Sequence, residues 1–161
     1  LGISDTDAQI AVIRNAFMCM AITTVIMQVI VMQKYKMQPK ILLRSAFIVF
    51  GIVLLLLPGA ATTLQLYLVF IGMGFAVSLA MPSLTAAASL TLGPQNQGVG
   101  AGLLAAAPTF GMVLGPLSMG FLYQTNPLLS VQLCAGMVIL TGIYFWFIKI
   151  PEAPSAAAQK S

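Results

Sequence analysis

The chain has 161 residues, 60% of them apolar and only 6% charged, with seven basic and three acidic side chains, no histidine and a net charge of +4. A water-soluble domain carries about 25% charged residues to solvate its surface, so this composition excludes one and fits a chain whose solvent is a bilayer. Four of the seven basic residues (Lys34, Lys36, Lys40 and Arg44) crowd into one short stretch without the run of alternating aromatics that a base-stacking surface needs; they read as a cytoplasmic loop that orients membrane spans, not as a nucleic-acid site.

Taken in order, the chain opens on Leu1 with no basic region ahead of a short apolar run, so no signal peptide is visible. Ser4-Asp5-Thr6-Asp7 reads as a polar loop in which Asp or Thr caps a helix. The expectation is an interior piece of a longer chain, with 1–9 as an extracytoplasmic loop. A transmembrane helix needs about 20 mostly apolar residues, and five segments qualify: 10–32, 41–57, 64–90, 98–122 and 128–148. The gaps between them carry turn chemistry: Pro39, Pro58-Gly59, Gly93-Pro94-Gln95-Asn96 and Asn126-Pro127. The fold class is therefore all-α membrane, a bundle of five transmembrane helices over 10–149. The Pro/Ala-rich stretch 150–161 reads as a disordered cytoplasmic tail.

Lys and Arg set the orientation. With the Lys34–Arg44 stretch inside, Asp5 and Asp7 fall outside, and the C-terminus with Lys149 and Lys160 falls inside. The second and fifth spans are bulky and apolar around most of their circumference, as lipid-facing helices are. The other three carry small and polar residues. In the first, Arg14, Met18, Ala21, Val25 and Gln28 share a side, flanked by Phe17 and Thr24. In the third, Gly74, Ser78, Pro82, Thr85 and Ser89 align, with Gly72 nearby; in the fourth, Gly98, Gly102, Ala105 and Thr109 align, followed by Phe110.

These stripes have two readings, tight helix packing and the lining of a cavity, and both can hold at once. As a substrate pathway they would use Arg14, Met18, Thr24, Gln28, Ser78, Thr85, Thr109 and Phe110. Arg14 alternatively snorkels to the nearer interface. Pro82, Pro108 and Pro116 interrupt the helical hydrogen-bond ladder and are expected to bend their helices. Gly111, Gly115 and Gly120 around Pro116 offer a smooth surface to a neighbouring helix.

No metal site and no cofactor is expected. Cys19 and Cys134 lie in apolar runs outside any Cys/His spacing and read as free thiols. No carboxylate pair, His-supported nucleophile or phosphate-cradling loop is present, which argues against an enzyme. Asp5, Asp7 and Glu152 all fall outside the expected spans, so no residue here is an obvious proton carrier.

Several stretches together resemble the C-terminal half, helices eight to twelve, of a major facilitator superfamily transporter. Met32-Gln33-Lys34-Tyr35 with Pro39-Lys40-Ile41-Leu42-Leu43 is similar to the basic loop between helices eight and nine, although Gln33 stands where the family often has Asp. Gly72-Met73-Gly74-Phe75 with Met81-Pro82-Ser83-Leu84-Thr85-Ala86 is similar to helix ten. Gln97 to Leu103, then Gly115-Pro116-Leu117 and Gly120 to Tyr123, is similar to helix eleven. The resemblance is nearest to drug:proton antiporters of the tetracycline and multidrug efflux type. It implies a two-bundle fold in a bacterial inner membrane, exporting an amphipathic small molecule, with an N-terminal bundle as partner to this one. The alternative is a membrane scaffold or truncated product whose stripes serve packing alone.

Overall fold

The computed structural model describes residues 6–34, 39–92 and 94–148, with the side chains of 31–40 and 94 left aside. Five long helices follow one another: α1 (Thr6–Lys34), α2 (Pro39–Leu56), α3 (Thr63–Thr91), α4 (Gln97–Thr125) and α5 (Pro127–Phe147). Single 3-10 turns, Leu57–Gly59 and Pro94–Asn96, follow α2 and precede α4, and no strand occurs among the described residues. All five helices are long and apolar enough to cross a membrane. At 1.5 Å per residue the 29-residue helices reach about 43 Å, beyond a hydrocarbon core of about 30 Å.

The helix bounds correct two expectations. Residues 6–9 belong to α1 and not to a loop, with Asp7 in the first turn, where a carboxylate complements the helix dipole. Lys34 closes α1, while Lys40 and Arg44 lie within α2. Of the four basic residues read as a cytoplasmic loop, Lys36 lies outside the described residues. Hydropathy marks the apolar run; the backbone ladder continues past it into polar residues at headgroup depth. Residues 1–5 and the tail from 149 onward also lie outside the described residues.

Local chemistry fixes the helix starts. Thr62 and Gln65 form a reciprocal capping box: the Gln65 backbone N–H donates to Thr62 Oγ1 (3.2 Å), and Gln65 Oε1 accepts from the Thr62 N–H (3.2 Å). At α5, Asn126 Oδ1 accepts from the N–H groups of Leu128 and Leu129, both at 3.1 Å, and Pro127 sits at a position where no N–H is needed. Helices α3 and α4 run through Pro82, Pro108 and Pro116 as single elements.

The helices pack as a row, α1 on α3, α3 on α2 and α2 on α5, with α4 resting lightly on α5 and α3. Helix α2 is held on two sides, by α3 and α5, and keeps an exposed apolar face with Ile52, Leu55 and Leu56. The buried side chains are mostly small: Ala16, Ala46, Ala76, Ala87, Ala135, Ser78, Ser83 and Ser130, with Leu43 the largest fully enclosed. Small residues let helix backbones approach where lipid offers no hydrophobic gain for association. A Cβ on Gly74 would stand 2.5 Å from the Met20 carbonyl oxygen, one on Gly72 would stand 2.9 Å from Val53, and one on Gly51 would collide with Ile139. Phe17 and Phe70 meet edge to face across α1 and α3, with ring centroids 5.1 Å apart. At the other end of the row Phe47 and Phe145 join α2 to α5 around Leu43 and Ala87.

Candidate substrate pathway

Helix α3 borders two hollows. Toward α1 it borders a hollow of about 530 Å³ lined by Gln28, Met81, Pro82, Thr85, Ala86 and Ser89. Toward α4 it borders a second, of about 300 Å³, lined by Thr85, Ala88, Ser89, Leu92, Gln97, Gly100, Ala101 and Leu104. Thr85 and Ser89 line both, so the two form one trough along the C-terminal half of α3, walled by α1 and α4. Its polar groups are neutral. The Thr85 hydroxyl donates to the Met81 carbonyl at 3.0 Å, as membrane-helix hydroxyls commonly do. The side chains of Gln28, Ser89 and Gln97 make no hydrogen bond among the described residues, which leaves their donors and acceptors for water or a ligand.

The expected pathway residues divide. Gln28 and Thr85 come together in the trough, with Pro82 beside them. Arg14, Met18, Thr109 and Phe110 lie exposed on α1 and α4 and do not line it. Thr109 donates to the Ala105 carbonyl at 3.3 Å within its own helix.

Thr24 and Ser78 belong to helix contacts. Thr24 Oγ1 donates to the Met20 carbonyl (2.8 Å) and to that of Gly74 (3.2 Å), crossing from α1 to α3. Ser78 is 1% exposed, with its hydroxyl on the Phe75 carbonyl at 2.6 Å. Both stand on the stripe's packed side, where helical spacing alone gives no means of separating them from the open side.

The glycines divide in the same way. Gly72 and Gly74 are close-packed. Gly98, Gly102, Gly111, Gly115 and Gly120 have nothing within 4 Å of where a Cβ would stand, so the expected close packing is not met within this chain. The physical reason is that α4 is nearly uncovered, its only buried residue being Gly100, which sits under Leu92. Gly51, Gly100 and Gly142, which sequence reading passed over, do make close approaches. The thiol of Cys134 meets the Met119 sulfur at 3.4 Å, one of the few points where α5 touches α4, and both cysteines are free.

Arg44 was also missed as a structural group, although a charge inside the apolar run 41–57 is the signal that marks it. Its Nε donates to the Phe145 carbonyl (3.0 Å) and one Nη donates to that of Trp146 (2.8 Å), with the guanidinium 5.1 Å from the Trp146 ring centre. These carbonyls end α5 and have no partner within the helix, so Arg44 satisfies them and meets the negative end of the dipole.

Among the described residues, five helices are long and apolar enough to cross a membrane. The family model of the Major Facilitator Superfamily matches residues 1–161. The chain belongs to this superfamily. It is thus a multi-pass membrane protein of a transporter family. No curated protein and no solved structure gives a significant match.

Proposed function

We propose that this chain supplies helices eight to twelve of a two-bundle secondary transporter and that the trough between α1, α3 and α4 lines its substrate path. The supporting observation is convergence: uncharged groups from three helices (Gln28, Thr85 with Ser89, and Gln97) meet in one hollow. A path of neutral donors beside Met81 and Leu104 suits a small amphipathic molecule. The near-bare α4 supports a further bundle closing over it.

The direction proposed is efflux by proton antiport across a bacterial cell membrane, with the Lys-rich helix ends cytoplasmic. The chain's acids are Asp5, Asp7 and Glu152, and Asp7 stands in the first turn of α1. The carboxylate that carries the proton is therefore assigned to the N-terminal bundle.

The test is uptake of a fluorescent amphipathic cation into inside-out vesicles holding the full-length transporter. Gln28→Ala is expected to raise the half-saturating concentration about fivefold, the effect of losing one hydrogen bond of about 1 kcal/mol. Collapse of the pH gradient is expected to stop uptake. Unchanged saturation in Gln28→Ala and in Ser89→Leu removes the trough from the path; uptake that survives gradient collapse removes proton antiport.

A further inference from the structure

The groove between α2 and α5 lies at the helix ends where Arg44 holds the α5 carbonyls. Ile41, Arg44, Ser45, Ile48, Val49 and Trp146 line a hollow there of about 330 Å³, open to the outside of the bundle. Three features meet in it. First, a guanidinium has five N–H donors and Arg44 uses two of them on α5, so three have no partner among the described residues, on a side chain held by those bonds. Second, the Trp146 indole N–H makes no hydrogen bond among the described residues, while its ring is 59% exposed. Third, Ile41, Ile48 and Val49 continue the groove as an apolar wall along α2.

The field at this end is positive. The α5 dipole offsets part of the Arg44 charge, but Lys40 precedes Arg44 by one turn of α2 and Lys34 closes α1. An isolated phosphate gains nothing from the apolar wall. An anionic phospholipid matches both parts: its phosphate accepts from Arg44 and Trp146, and one acyl chain lies along Ile48 and Val49.

We propose that this groove is a binding site for an anionic phospholipid, which clasps α2 to α5 at the headgroup level. The site stands apart from the trough, across the α2–α3 layer, and does not depend on what is transported.

The experiment is native mass spectrometry of the full-length transporter in mild detergent, after exchange with phosphatidylglycerol or with phosphatidylcholine of the same acyl chains. The readout is the ratio of the two lipids retained, which a general loss of stability does not move. The wild type is expected to favour phosphatidylglycerol. Trp146→Phe, which keeps an aromatic ring and removes the N–H, is expected to lower the affinity for phosphatidylglycerol about fivefold, the effect of one hydrogen bond to a phosphate that phosphatidylcholine also carries. Val49→Trp, which fills the groove, is expected to lower retention of both lipids. A wild-type ratio near one, or retention of phosphatidylglycerol unchanged in both Trp146→Phe and Val49→Trp, overturns the proposal. So does efficient disulfide pairing of two Val49→Cys chains in the membrane, which would make the groove a contact between copies.

Discussion

Replacing Arg44 by alanine is expected to destabilise the bundle by about 2 kcal/mol, read as a lower midpoint of thermal unfolding in detergent. Two charge-assisted hydrogen bonds to the terminal carbonyls of α5 are lost, each of a kind worth about 1.5–3 kcal/mol before the carbonyls find water or lipid headgroups instead. The cation over the Trp146 ring goes with them. Arg44→Lys keeps the charge near the helix end but not the planar fork that reaches two successive carbonyls, so about half the loss is expected to remain. An unchanged midpoint in Arg44→Ala would mean that α5 ends without help from α2. The consequence extends beyond one helix end, because α5 is attached to the row mainly through α2, with light contacts to α4 and to the turn Leu57–Gly59 besides.

Gly74→Ala is the second large effect. The added Cβ would stand 2.5 Å from the Met20 carbonyl oxygen and 3.2 Å from the Thr23 Cβ. The obstacle is backbone, which cannot swing aside as a long side chain can, so α1 and α3 must separate. Overpacking of this kind costs about 1–3 kcal/mol, and separation also stretches the 3.2 Å bond from Thr24 to the Gly74 carbonyl. Gly59→Ala is the control: nothing lies within 4 Å of that position and its φ is not positive, so a change within about 0.5 kcal/mol is expected. Equal midpoints for the two variants would show that α1 does not rest on α3 through this glycine.

The spans were legible because the bilayer demands long apolar runs, and nothing in a soluble protein imitates 29 residues such as Thr63–Thr91. Their ends were less so. Thr6, Asp7 and Lys40 look like loop by hydropathy, yet each lies in the first turn of a helix. Within the helices, spacing put Thr24 with Gln28 and Ser78 with Thr85, but one member of each pair faces a neighbouring helix and the other an open trough. A 100° periodicity places residues on a side of a helix; it carries no information on which neighbour covers that side. Thr24, half-buried against Gly74, could be separated from Gln28 only once α3 was in place. Gly98, Gly102, Gly111, Gly115 and Gly120 of α4 show the converse, since their pattern suggests packing and no described residue lies within 4 Å of where a Cβ would stand.

The central claim, that the trough between α1, α3 and α4 is a water-filled path, is tested most directly by thiol accessibility in the membrane. With Cys19 and Cys134 replaced by alanine, single cysteines would be placed at Ser89 and Thr85 in the trough and at Ile52 and Leu140 on the outer faces of α2 and α5. A small charged maleimide added to full-length protein in open vesicles is expected to label the first two positions and to leave the last two unlabelled, with bound substrate slowing labelling at Ser89. Labelling confined to the outer positions, or none at Ser89 and Thr85, would show the trough to be a lipid-filled or protein-filled seam and would contradict the assignment of a pathway there.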